Sequence, residues 1–196
     1  MNYTSLSLKE LSDFIAEMNR NKGFWDNPIP VHVRKLLIIS ELTEALEADR
    51  NNKKFDNNFD TLFQDESFDA DVFKQQVKDT PGDEIADAFI RLLDCIGNSS
   101  EQFIVNNIEF EKETVDNLKN YSLESKQEAE ANNKSMGFDF GTWLYILTDC
   151  IVNNDYDDFI GIIFAGAYNF NIDLASHIKY KLMYNATRPY KHGKQY

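Results

Sequence analysis

Two pairs of acids, each pair three residues apart, stand inside apolar runs of two separate segments. Glu41 and Glu44 lie between Leu36 and Ala48, and Glu84 and Asp87 lie between Asp83 and Asp94. On a helix, positions i and i+3 share a face. Each pair therefore points two carboxylates the same way out of an element built for burial. Carboxylates so close resist ionising together unless a cation joins them. An all-oxygen cluster of this kind suits a hard divalent ion such as Mg²⁺, with Mn²⁺ as a substitute. The pattern points to metal-dependent chemistry on phosphates. A single Glu-x-x-Glu also suits an ordinary solvated helix face. The segment around Glu41 is apolar around much of its circumference, which leaves little room for such a face.

The elements that must carry these acids read as helices. Ser7 and Glu10 fit a capping box ahead of Leu8, Leu11, Ile15 and Met18, which predicts a first helix over about 8–20. Gly23, Pro28 and Pro30 punctuate a loop, and the helix bearing Glu41 and Glu44 runs from just after Pro30 to about Arg50. Thr80 as N-cap, Pro81 in the first turn, and Asp83 and Glu84 at the positive helix end start the next, which closes near Gly97. If the two packed side by side, their acids would face each other, with Leu37, Glu41, Glu44 and Ala48 on one stripe and Glu84, Asp87, Arg91 and Asp94 on the other.

Further helices are expected from Thr142 to about Val152, over Asp155–Tyr168, and over 171–188, where Pro189 stops the last. Residues 100–134 are rich in Glu, Lys and Asn, with sparse apolar positions, and predict a long, mostly solvated helix. No segment alternates with a β period. The chain reads as all-α, a single domain over 1–196 built as a helical bundle with insertions at about 51–78 and 98–140. The first insertion is expected to be partly helical near Phe68–Val77.

The net charge of −13 is unevenly spread. No acid occurs after Asp173, whereas Lys179, Lys181, Arg188, Lys191 and Lys194 all do. An acidic body excludes broad nucleic-acid binding, which needs an extended cationic surface. The basic end invites a local anion such as a phosphate. Lys181, Asn185 and Arg188 are spaced to share a helical face and have the chemistry to contact phosphate oxygens. They would equally serve as a basic last turn complementing the helix dipole. Cys95 and Cys150, both in apolar helical patterns, read as buried free thiols of a cytoplasmic protein, with a disulfide as the less favoured pairing. The start shows no signal peptide. The most apolar stretch, Phe159–Phe170, is too short for a bilayer, which takes about 20 residues.

Taken together, these segments resemble the MazG-like all-α nucleoside triphosphate pyrophosphohydrolases. Glu41-Leu42-Thr43-Glu44 and Glu84-Ile85-Ala86-Asp87 match that family's paired motifs. The closing stretch from Lys181 to Lys194, and Gly23-Phe24-Trp25-Asp26, are similar to segments of family members. The likeness covers about residues 10–50, 79–97 and 168–196. The connection over 45–83 is longer than is usual in the family, as is that to the closing segment. The resemblance implies Mg²⁺-dependent hydrolysis of a nucleoside or deoxynucleoside triphosphate to the monophosphate and pyrophosphate, as nucleotide-pool house-cleaning. It implies that Glu41, Glu44, Glu84 and Asp87 hold the metal and that Glu41 or Glu44 activates water. By the same carry-over, Lys181, Asn185 and Arg188 contact the phosphates or sugar. Trp25 is a candidate to stack on the base, although a core or interface role suits it better. A homodimer or homotetramer is also implied.

Rival readings account for less. A di-iron bundle needs Glu-x-x-His pairs, and none of His32, His177 and His192 follows a suitable Glu at that spacing. A P-loop motif is absent. A non-catalytic acidic helical interaction module accounts for the charge, but not for acids set within apolar helices.

Overall fold

A computed structural model describes residues 2–54, 57–63, 67–98, 103–105, 108–131 and 138–190. The described residues are all-α. Their helices are α1 (Leu8–Asn21), α2 (Val31–Arg50), α3 (Phe59–Leu62), α4 (Ala70–Gln76), α5 (Pro81–Asn98), α6 (Val115–Ala131), α7 (Phe140–Asn153), α8 (Tyr156–Asn169) and α9 (Leu174–Thr187). Short 3₁₀ turns precede α1 and α6. The ends of α1, α2 and α5 fall within a residue or so of where the capping signals put them. Ser7 accepts from Glu10 N–H while Glu10 reaches back to Ser7 N–H at 2.9 Å, closing the capping box. Thr80 Oγ1 accepts from Asp83 N–H at 3.4 Å at the head of α5.

Helix α5 is the axis of the bundle, packed against α1, α2, α8 and α9. Its Ile85, Phe89, Leu92 and Leu93 are fully buried, and meet Leu11 and Ile15 of α1 and Ile38 and Leu42 of α2 in one continuous core. Each such side chain contributes about 1.5–3 kcal/mol by leaving water. Helix α7 lies on α2 and α8, and α6 lies on α8 and α9. Cys95 and Cys150 are both buried and are not joined in a disulfide.

The two insertions are used more fully than their composition suggested. In 51–78, α4 covers most of the expected helical stretch, while α3 was not anticipated. Phe59, Phe63, Phe73 and Val77 form a second apolar cluster against Tyr180 of α9. The phenylalanines spaced through a polar sequence are thus anchors that pin this excursion to the last helix. In 100–134 the helix is shorter than expected, starting only at Val115. Phe103, Phe110 and Val115 are instead buried in the main core, and Phe103 stacks on Tyr156 at 5.2 Å. No single helix among the described residues is long and apolar enough to cross a membrane. Helices α8 and α9 pass that test only jointly, across a 109° bend.

Candidate functional site

Packing of α2 on α5 brings the acids together. Oxygens of Glu41, Glu84 and Asp87 lie within 4.8 Å of one another. Glu41 and Glu84 are each only 4% exposed, as expected for acids carried on core helices. Glu44, one turn on from Glu41, is exposed and lies outside this trio, but it shares a wall of the same cavity. Asp79, Asp83 and Glu84 form a second trio within the same 4.8 Å limit. The two trios meet at Glu84.

Electrostatics follow from burial and crowding. Desolvation, then the neighbouring carboxylates, raises Glu84 from 4.5 to about 9, against the pull of Lys181. Glu41 is raised by burial and by Asp87 and Glu44, with Arg91 opposing. Arg91 Nε donates to Glu41 Oε1 at 2.7 Å. Acids in this state gain from a cation in their midst, and their oxygen-only donor set fits a hard divalent ion.

Lys181 is drawn in from α9. Its Nζ lies 2.6 Å from Asp83 Oδ2 and 2.8 Å from Asp87 Oδ2. Burial works against its charge, but the two aspartates outweigh burial and hold its pKa above the ordinary lysine value. The approach of α9 depends on Gly82, which faces the ring of His177 one turn before Lys181. Burial lowers His177 to about 3, so it sits there neutral.

The acids open onto a cavity of about 240 Å³. Its lining also includes the polar and cationic Lys78, Lys181, Asn185 and Arg188, and Asn19, Phe24, Ile29 and Leu37. Lys181, Asn185 and Arg188 thus line one cavity, as their spacing anticipated. Asn185 Oδ1 is buried there without a hydrogen-bond partner among the described residues. Trp25 is not part of this wall. Its indole N–H donates to both oxygens of Asp94, at 3.1 and 3.2 Å, and the Arg34 guanidinium covers its ring at 3.2 Å from the centroid. Half-buried and outside the apolar core, it braces the wall through Asp94 and Arg34.

Sequence reasoning missed Asp83 and Asp79 as members of the cluster, and Lys22, whose Nζ donates to the carbonyls of Asn185, Ala186 and Arg188. The adjacency of Asp83 to the Glu84–Asp87 pair was the available signal. Lys22 carried none, since its partners are far off in the chain. The family-like ending at Lys191–Lys194 lies outside the described residues. No protein-family model matches the chain, and neither a curated protein nor a solved structure matches it.

Proposed function

We propose that this protein is a divalent-metal-dependent pyrophosphohydrolase of nucleoside or deoxynucleoside triphosphates, of the MazG-like kind. The observation that carries this reading is the convergence of Glu41, Glu84 and Asp87 within 4.8 Å, beside a cavity whose adjoining wall holds Lys78, Lys181 and Arg188. Anionic oxygens that hold a cation, next to fixed ammonium and guanidinium groups, match the charge layout of a triphosphate bridged to a metal.

Glu41, Glu84 and Asp87 would hold the ion. Bound Mg²⁺ supplies neutralisation of phosphate charge and a water of lowered proton affinity. Glu44 is the better of the two candidate bases, because Glu41 is already engaged by Arg91 and the ion cluster, while Glu44 is exposed on the cavity wall. It accepts a proton from water as the water oxygen bonds to the α-phosphorus. The bond from that phosphorus to the bridging oxygen breaks, and pyrophosphate departs with the electron pair. Lys181 and Arg188 face the charge that builds on the leaving group. Leu37, Phe24 and Ile29, which line the same cavity, offer apolar surface for the base.

The test is incubation with Mg²⁺ and a panel of NTPs and dNTPs, reading pyrophosphate. The expected result is release that stops in chelator and in Glu41→Gln or Asp87→Asn. Absence of release with every nucleotide would overturn the reading and favour an acidic interaction module.

A further inference from the structure

The two acid trios invite a two-ion centre, but a cation from the chain already joins them. Lys181 Nζ contacts one member of each trio, Asp83 of the second and Asp87 of the first. Its side chain is 3% exposed and that of Asp83 fully buried. Asp83 Oδ2 also accepts from Asp79 N–H at 3.0 Å, which fixes the carboxylate from the other side. Anchored at both ends, the ammonium has no room to leave without stranding a buried charge.

Formal charge agrees. The two trios together hold the carboxylates of Glu41, Asp79, Asp83, Glu84 and Asp87. Among the described residues, three cations pair with them directly: Lys181, Arg91 on Glu41, and Lys78 on Asp79. Once a metal displaces the proton of Glu84, five negative charges against three positive leave two, which is the charge of one divalent ion.

We infer that Lys181, anchored by Asp83, is an internal cation occupying the place of a second metal, so that the centre takes up one divalent ion per chain, at Glu41, Glu84 and Asp87. The inference rests on the reading of that trio as the metal site. Asp83 is a positioning residue in this scheme, because it acts through Lys181. Asp79 ligates no metal as long as Lys181 is present.

Mn²⁺ alone, counted by equilibrium dialysis and electron paramagnetic resonance, tests this without any turnover. The full chain is expected to bind one Mn²⁺. Lys181→Met is expected to bind two, and adding Asp79→Asn to it is expected to remove the second. In the wild-type background, Asp79→Asn is expected to leave Mn²⁺ affinity within about threefold. This variant keeps the fold, since residue 79 has φ 62° and asparagine tolerates that conformation. It therefore decides the matter even if Lys181→Met does not fold. Two ions or none in the wild type, one ion in folded Lys181→Met, or a loss of about tenfold or more in Asp79→Asn would overturn the inference. If one Mn²⁺ binds but no nucleotide yields pyrophosphate, the proposed activity fails while the single-ion centre stands.

Discussion

Gly82 faces the His177 imidazole so closely that a Cβ at residue 82 would lie 2.3 Å from Nε2. This contact lets α9 approach the head of α5, and Lys181 follows one turn later on the same face. Gly82→Ala would ordinarily favour a helix interior by about 1 kcal/mol. Here the sign reverses, because the added methyl would overlap a buried, stiff ring that must shift to admit it. The variant is expected to lose about 1–3 kcal/mol of stability from overpacking, read by denaturant unfolding. It should also weaken Mn²⁺ binding, as the Lys181–Asp83 anchor shifts. An unchanged or raised stability would show that α9 does not bear on α5 at this point.

Stability without metal should fall as pH rises. Glu84 binds its proton more tightly folded than unfolded, with its pKa raised from 4.5 to about 9 by burial and by the acids around it. Between those values the native state carries the extra proton, so this contribution is fully present below pH 4.5 and is lost as pH rises towards about 9. A bound divalent ion replaces the proton. The gain in Tm from added Mg²⁺ should therefore be larger at pH 8.5 than at pH 6. In Glu84→Gln both the pH slope and the Mg²⁺ gain should shrink. A Mg²⁺ gain that stays flat with pH would dissociate Glu84 from the ion.

The parts of this molecule legible in its sequence are those governed by local rules. Capping chemistry at Ser7, Thr80 and Pro81 located the helices that matter, and the i, i+3 spacing located Glu41, Glu84 and Asp87, which do converge. Glu44 obeys the same spacing but is exposed, because the buried face of α2 runs through Glu41, Leu42, Ala45 and Ala48 and leaves residue 44 at its edge. Asp83 was passed over because its partner, Lys181, is distant in the chain and is delivered by tertiary packing. The sparse phenylalanines at 59, 63 and 73 looked like a polar excursion for the same reason: Tyr180, the residue they cluster on, belongs to α9. Periodicity reports a helix's own faces, and is silent on which remote residue will complete them.

Trp25 offers a test of support against stacking. Its indole donates to Asp94, which burial raises to about 6 despite bonds from Asn19 and Trp25. Trp25→Phe leaves a buried carboxylate short of a donor and is expected to cost about 1–3 kcal/mol, measured by chemical denaturation. In a nucleotide-hydrolysis assay the KM should move by less than about threefold, because Arg34 already covers the ring. A tenfold or larger rise in KM at unchanged kcat would instead make Trp25 a direct contact of the base.

Lys22 ties the end of α1 to the end of α9. The last carbonyls of a helix have no intrahelical donor, and Lys22 Nζ serves Asn185 O, Ala186 O at 3.1 Å and Arg188 O at 2.7 Å. The ammonium also meets the negative pole of the helix. Desolvation, with Arg188 nearby, lowers its pKa, yet three carbonyl acceptors hold it in place. Lys22→Met keeps most of the aliphatic stem and removes the donor. It is expected to lower stability by about 1 kcal/mol, seen as a drop in Tm. The acid trio on α2 and α5 does not depend on this cap, so Mn²⁺ affinity should hold within about threefold. Nucleotide affinity should fall further than metal affinity, because Asn185 and Arg188 lose the cation that fixes their backbone beside the cavity. Equal losses in both would mean that the end of α9 and the acid cluster move as one unit.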